Sequence, residues 1–210
     1  MIVERHHSLT KESQYKTTNQ LILEAAAFLF WQKGFEATRC DEIAQLARLT
    51  KGAVYYHFKS KAELGEKLLD CAEERWLGGI EGELSQTHNT PVDLIQKVLK
   101  KEKQLFQDPI IRGGLTLLTL STKVEQESGL NKRARAFWEA RNEFYQKLFN
   151  QADRTTGPIF SYALAGFLTQ ALYERDVQIY LEGVNLLRTG CLKMAALVKT
   201  DRVWSLRHEN

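Results

Sequence analysis

The sequence predicts an all-α protein made of a small N-terminal helical domain and a larger helical domain. Only three prolines occur in 210 residues, and long stretches lack both Pro and Gly. Helix-capping patterns recur along the chain, whereas strand-like alternation with turn pairs, repeats and low-complexity tracts are not found. The length is sufficient to bury a sizeable core.

The composition is that of an ordinary globular protein, with 43% hydrophobic and 26% charged residues. No apolar run approaches the roughly 18 residues that span a bilayer. Residues 1–16 are polar and lack the apolar core of a secretory signal. Cys40, Cys71 and Cys191 lie far apart, without the spacing of metal ligands, and are expected to be reduced thiols. We therefore expect a cytoplasmic protein with no membrane contact, no metal and no cofactor.

The first helix is predicted over 17–34, TTNQLILEAAAFLFWQKG. Thr17 can act as its N-cap, with Gln20 at the reciprocal position of a capping box, and Gly34 ends it with a positive φ. Nearly the whole circumference of this helix is apolar. It is therefore predicted to lie at the centre of a small bundle.

The next two helices are separated by a very short link. Thr38 and Asp41 form a second capping-box pattern that opens CDEIAQLA, and Thr50 begins the following helix in LTKGAVYYHF. The link of three or four residues is too short for antiparallel packing. This spacing favours two helices that cross at a large angle, the helix-turn-helix arrangement.

Six further helices are predicted in the rest of the chain, over about 61–84, 91–107, 109–124, 129–152, 159–174 and 177–198. Thr90, Pro91 and Asp93 give the second of these a strong start, and Asp108-Pro109 starts the third. Gly113 and Gly114 are expected to weaken that third helix. Residues 86–90 and 155–158 are predicted to interrupt helices, and residues 201–210 to be a loosely packed tail.

The predicted third helix carries two different faces. Leu49, Val54 and Phe58 are spaced to point inward, whereas the outward face carries Lys51, Gly52, Tyr55, Tyr56 and Lys59. A glycine near the start of a helix permits close backbone approach, and the helix N-terminus attracts phosphate. These features favour a recognition helix that enters a major groove, with a merely solvated face as the alternative.

The charge distribution agrees with this interpretation. The formal charge of the chain is +3, and residues 1–61 contain nine Lys or Arg against six Asp or Glu. All of the excess positive charge therefore lies in the N-terminal third, where a polyanion-binding domain would need it.

Residues 17–64 resemble the N-terminal domain of the TetR family of bacterial transcriptional regulators. The matching motifs are A-x-x-L-F-x-x-x-G-F-x-x-T, E-I-A-x-x-A and T-K-G-A-V-Y-Y-H-F-x-S-K-x-x-L. The resemblance implies a three-helix DNA-binding domain at 1–61, followed at 62–210 by a helical effector-binding and dimerisation domain.

The resemblance also implies roles for individual residues. Lys51 and Gly52 would lie over base edges, and phosphates would be contacted or positioned by Thr38, Thr50, Tyr55, Tyr56, His57 and Lys61. Two residues depart from the usual family pattern. Arg39 follows Thr38 where Ser or Thr is common and could reach a phosphate or a base, and Arg48 occupies a turn position where Gly is common.

The C-terminal domain has no net charge and many bulky apolar residues, which suits a pocket for a small apolar effector. The candidate lining residues are Trp76, Phe106, Leu118, Trp138, Tyr145 and Tyr162; ordinary core packing is the alternative for each. Residues 108–122 and the following Trp138 are similar to the corresponding part of γ-butyrolactone autoregulator receptors, a TetR subgroup. That likeness implies that Trp138 lines the pocket.

The last two helices are assigned to dimerisation, as the resemblance implies. The proposed interface residues are Ala163, Gly166, Phe167, Gln170, Leu186, Leu187, Gly190 and Met194. Their mixture of small and large side chains suits close helix packing, and intramolecular core is the alternative.

The sequence contains no G-x-S-x-G, H-E-x-x-H or Walker motif, so no enzymatic activity is expected. The predicted function is a ligand-responsive repressor that binds a palindromic operator as a homodimer and is released by a small apolar effector. Two alternatives stay open. One is a helical small-molecule-binding or interaction protein that has lost DNA binding, and the other is a transcriptional activator.

Overall fold

The computed structural model of the chain describes residues 17–84, 90–118, 128–150 and 157–208. Within these ranges every regular element is a helix, which confirms the predicted all-α class. The helices are α1 (Thr18–Lys33), α2 (Cys40–Leu46), α3 (Lys51–His57), α4 (Lys61–Leu84), α5 (Pro91–Leu105), α6 (Pro109–Leu117), α7 (Gly129–Asn150), α8 (Gly157–Glu174) and α9 (Val177–His208). None of these described helices is both long and apolar enough to cross a membrane.

Local hydrogen bonds set the ends of α1 and the start of α3, as predicted. The Thr17 hydroxyl accepts from the Gln20 amide at 3.3 Å, and the Gln20 side chain accepts from the Thr17 amide at 2.9 Å. Gly34 ends α1 with φ 85°. The Thr50 hydroxyl accepts from the amide of Ala53 at 3.1 Å and so caps α3.

The start of α2 differs from the prediction, because Thr38 is not its cap. The helix begins one residue later, and the Glu42 carboxylate accepts from the amide of Arg39 at 2.8 Å. Thr38 is buried, and its hydroxyl donates to the carbonyl of Gly34 at 2.7 Å. Thr38 therefore closes the turn between α1 and α2.

The link between α2 and α3 is the four residues 47–50, which confirms the predicted helix-turn-helix spacing. Arg48 has φ 58° and so occupies the left-handed region that glycine adopts at no steric cost. The turn accommodates the Arg48 side chain by leaving it exposed.

The later helices lie close to their predicted bounds. Thr90 caps α5 by accepting from the amide of Asp93 at 3.1 Å, and Asp108 caps α6 by accepting from the amide of Ile110 at 2.7 Å. Helix α9 continues to His208, through most of the segment predicted to be a tail, and the predicted loose packing of that segment lies outside the described residues. Three parts of the predictions lie outside the described residues, namely the interruption at 86–89, the part of α6 beyond 118 and residues 155–156. Gly157 and Pro158, predicted to interrupt a helix, instead begin α8.

Helix α6 is wedged between α1 and α4, and its two glycines make this possible. A Cβ added at Gly113 would lie 2.4 Å from the Cα of Ala27 in α1. One added at Gly114 would lie 2.3 Å from the Cβ of Ala72 in α4. The glycines, predicted to weaken the helix, are thus required for close helix packing.

We expect Gly113→Ala to lower the free energy of unfolding by about 1–3 kcal/mol, because backbone atoms of α1 would have to move. The matched control is Gly78→Ala, since an added Cβ there would meet nothing within 4 Å. This control should be neutral or stabilising by up to about 1 kcal/mol. Urea denaturation measures both, and equal stability of the two variants would contradict the wedge.

Candidate nucleic-acid interface and effector region

Helix α3 is held in place by its inward face. Val54 and Phe58 are buried, Leu49 is half-buried against the same core, and Ile43 of α2 is fully buried. These contacts fix which side of α3 is left to solvent.

The outward face of α3 is exposed as the sequence predicts. Tyr56 is 86% exposed and Tyr55 is 42% exposed, and Lys51 and Gly52 are also exposed. A Cβ added at Gly52 would meet Thr50 Oγ1 at 3.9 Å, which is an ordinary contact. Packing among the described residues therefore does not require glycine at this position, whereas close approach by a partner molecule would.

Asp41 at the start of α2 organises the cations beside α3. Its Oδ1 lies 2.8 Å from the ammonium of Lys51, and its Oδ2 lies 3.4 Å from the guanidinium of Arg39. The hydrogen bond from Lys51 lowers the pKa of Asp41, and the same bond raises the pKa of Lys51. The cluster is exposed, so these ion pairs are weak and the cations can exchange Asp41 for a phosphate.

The aromatic side chains of α3 contact neighbouring residues and keep part of their surface exposed. The Lys51 ammonium lies 6.0 Å from the ring centroid of Tyr55, and a hydrogen bond to Cys40 raises the pKa of Tyr55. The rings of Tyr56 and His57 meet edge to face at 5.2 Å. His57 is half-buried, so Tyr56 is the more accessible of these two rings.

Lys61, predicted to contact or position phosphates, contacts backbone carbonyls between α1 and α2. Its ammonium donates to the carbonyls of Phe35 at 2.8 Å, Thr38 at 3.0 Å and Glu36 at 3.1 Å. These bonds use all three ammonium protons. The geometry therefore favours positioning of the α1–α2 turn by Lys61 over direct contact with a phosphate.

We expect Lys61→Met to lower the free energy of unfolding by about 1–3 kcal/mol, because three carbonyls lose a charged donor. Lys59→Met is the matched control, since Lys59 is exposed and two residues away. The control should change stability by less than about 0.5 kcal/mol. Thermal denaturation followed by circular dichroism compares them, and an undiminished melting temperature for Lys61→Met would rule out the positioning role.

The predicted effector-lining residues do not all lie together. Trp76, Phe106, Leu118 and Tyr145 are buried, and Trp138 is half-buried against the core. Tyr162 is 67% exposed on the surface of α8 and lies apart from the buried residues.

Sequence reasoning missed a buried polar cluster among these aromatic residues, formed by Trp76, Glu102, Arg141, Tyr145 and Tyr180. Oε2 of Glu102 accepts from the Trp76 indole at 2.7 Å and from the Tyr145 hydroxyl at 2.6 Å. Oε1 accepts from the Tyr180 hydroxyl at 2.5 Å and from Nη2 of Arg141. The sequence does contain an indication of this cluster, namely a charged residue within the apolar stripe of a helix. Arg141 lies four residues from both Phe137 and Tyr145, so the three share one face of α7.

The cluster is held in one protonation state. Burial raises the pKa of Glu102, but the charge of Arg141 and the three neutral donors outweigh it, so the pKa is below its ordinary value. Burial alone would lower the pKa of Arg141, and the charge of Glu102 reverses this effect. Burial also raises the pKa values of Tyr145 and Tyr180 well above the ordinary value. The cluster is therefore a carboxylate and a guanidinium with two protonated phenols.

The N-terminal helices match a known protein family. Residues 22–68 match the family described as bacterial regulatory proteins, tetR family. The HTH-type transcriptional regulator TtgR of Pseudomonas putida is 38% identical over 102 residues, which is 49% of this chain and 47% of TtgR. The chain thus spans about half the length of this curated relative.

Solved structures share the fold over most of the chain. A transcriptional regulator of the TerR/AcrR family from Aquifex aeolicus is 25% identical, with a TM-score of 0.59 over 85% of this chain and 99% of that one. A γ-butyrolactone receptor, an ArpA-like protein, is 20% identical with a TM-score of 0.59 over 82% of this chain and 97% of its own. These matches confirm the all-α arrangement of a helix-turn-helix domain followed by a helical domain, and the receptor likeness is one of fold alone.

Proposed function

We propose that this chain, whose N-terminal domain is a TetR family domain, is a ligand-responsive transcriptional repressor that binds operator DNA as a homodimer. The observation that carries the proposal is the outward face of α3. Its helix is capped by Thr50, opens on Lys51 and Gly52, and presents Tyr55 and Tyr56 to solvent.

On DNA, the first turn of α3 would lie in the major groove, with Lys51 and Gly52 over base edges. Tyr55, Tyr56, His57 and Thr50 would contact phosphates on either side. Two other predicted residues, Thr38 and Lys61, would act indirectly, because their polar groups already hold the α1–α2 turn. Their role is to position α2 and α3.

Two exposed arginines would add contacts that are particular to this chain. Arg39 begins α2 beside the Lys51–Asp41 ion pair, and Arg48 projects from the turn between α2 and α3. Both lie close to the outward face of α3 in sequence and are exposed, so phosphates can reach their guanidinium groups. They are the residues from which a distinct operator preference would arise.

We expect Lys51→Ala and Tyr55→Phe each to weaken binding to an operator selected from random DNA, because each removes one donor from the outward face. The loss should be about tenfold for Lys51→Ala.

Wild-type affinity for the operator should also fall steeply between about 50 and 200 mM salt, because several phosphates are neutralised on binding. Gel-shift titration measures all three effects.

Lys67→Ala is the matched control for these variants, because Lys67 is an exposed lysine that belongs to α4 and not to α3. It removes the same charge and should leave affinity nearly unchanged. Wild-type affinity in both α3 variants, with folding intact, would refute the assignment of α3 as the recognition helix.

The homodimer would form through α8 and α9. Several large apolar side chains are exposed there, namely Ile159, Tyr162, Tyr173, Leu186 and Leu192. Not every residue proposed for the interface is available, because Leu187 is buried within the chain. A Cβ added at Gly183 would lie 2.2 Å from the Phe167 ring, so Phe167 is also engaged within the chain. Pairing of the remaining exposed face would place two α3 helices in successive major grooves about 34 Å apart.

We expect Leu186→Glu to convert the dimer into a folded monomer, because Leu186 is 65% exposed and a charge would be buried in the interface. Leu77→Glu is the matched control, since Leu77 is exposed on α4. Sedimentation velocity measures the mass of each variant. A monomeric wild type, or a dimeric Leu186→Glu variant, would contradict this interface.

The effector would bind in the helical domain, beside the buried aromatic residues. Trp76 and Tyr145 belong to the polar cluster, and the Phe106 ring lies 4.3 Å from that of Tyr180. The sequence similarity described above for residues 108–122 adds the half-buried Trp138 as a proposed lining residue. Tyr162 fits the α8–α9 surface better than the pocket, because it is exposed. Effector binding would favour a different separation of the two α3 helices and so release DNA.

A further inference from the structure

Arg141 is a fully buried cation whose hydrogen-bonding capacity is mostly unused. Its Nη2 donates to Oε1 of Glu102 and to the Tyr180 hydroxyl, the latter at 2.6 Å. Among the described residues, Nε and Nη1 have no hydrogen-bond partner. A guanidinium carries five N–H donors, so three of them lack an acceptor here.

The neighbouring groups of the cluster do not supply the missing acceptor. Both oxygens of Glu102 already accept two hydrogen bonds each, from Trp76, Tyr145, Tyr180 and Arg141. The Tyr180 hydroxyl both accepts from Arg141 and donates to Glu102. The carboxylate has therefore reached its usual capacity of four bonds.

Two aromatic rings lie beside the guanidinium. The guanidinium carbon of Arg141 lies 5.1 Å from the ring centroid of Tyr145 and 5.8 Å from that of Trp76. Ring faces stabilise the positive charge, but they are weaker acceptors than an oxygen atom. Buried donors without acceptors are rare in native proteins and costly, so this arrangement suits a molecule that arrives with an acceptor.

We infer that Arg141 binds a hydrogen-bond acceptor of the effector, which is an apolar molecule bearing a neutral carbonyl oxygen. The aromatic residues would take the apolar part, and Nε or Nη1 would donate to the carbonyl. A neutral group is favoured over a carboxylate because Glu102 already balances the charge of Arg141, and a second buried anion would be uncompensated. The inference rests on the proposed function, since it specifies the chemistry of that effector.

Straight-chain methyl ketones of increasing length test this assignment in the full-length protein. Alkylammonium ions and alkanoates of the same lengths are the matched probes, because they present a donor and an anion in place of the neutral carbonyl. Tryptophan fluorescence titration is expected to detect ketone binding, with the ketone at least about tenfold tighter than either matched ion.

Arg141→Lys keeps a cation opposite Glu102 but lacks Nε and Nη1. Ketone affinity should fall about tenfold in this variant, provided that circular dichroism shows it to be folded. The infrared carbonyl stretch of an isotope-labelled ketone bound to the wild-type protein gives a second readout that does not depend on the variant. It should move to lower frequency than in an apolar solvent, because a guanidinium donor weakens the C=O bond.

Four results would overturn the inference. They are no binding of any methyl ketone, tighter binding of the alkanoates, an unshifted carbonyl stretch, and full ketone affinity in folded Arg141→Lys. Selection of operator DNA by the same preparation separates this failure from failure of the proposed function. If the protein enriches a palindrome but binds no ketone, the proposed function stands and the carbonyl-binding role of Arg141 is refuted. If it binds ketones but enriches no palindrome, the role of Arg141 stands and the proposed function is refuted.

Discussion

The ion pair between Glu102 and Arg141 is the interaction on which the helical domain depends. It joins α5 to α7, and the hydrogen bonds of Glu102 to Trp76 and Tyr180 add α4 and α9. Two charges are costly to remove from water, and removing one partner of such a pair costs about 3–5 kcal/mol. The helices must therefore keep the relative positions that bring these side chains together, which fixes their register more strictly than apolar packing alone.

Helix α4 connects this cluster to the N-terminal helices. Trp76 lies on α4, and the same helix begins at Lys61, which holds the turn between α1 and α2. Helix α6 contacts α1 through Gly113 and α4 through Gly114. The nearest atoms belong to Ala27 and Ala72, which have no flexible side chain that could move aside. A shift of α4 relative to α6 would therefore move the N-terminal helices as well. Such direct packing gives the proposed effector response a physical route.

Local signals explain which parts of the N-terminal helices were predictable. Thr17, Gly34 and Thr50 fix helix ends through hydrogen bonds or backbone angles within a few residues, so their patterns are visible in the sequence. Thr38 was misassigned because the T-x-x-D pattern at 38–41 and the R-x-x-E pattern at 39–42 are offset by only one residue, and the Glu42 carboxylate caps the backbone of Arg39. The involvement of Lys61 with three distant carbonyls depends on tertiary folding, and no local pattern predicts it.

The sequence by itself determined the helical class, the helix-turn-helix spacing and the division of α3 into an inward and an outward face. These follow from chain-local capping and from the period of the apolar residues. Only the tertiary structure decided which charged residues enter the core, because Glu102 and Arg141 are 39 residues apart along the chain. It also decided that Gly113 and Gly114 serve packing and that Tyr162 lies at the surface. Each of these depends on which helices become neighbours, and residue spacing along one helix does not contain that information.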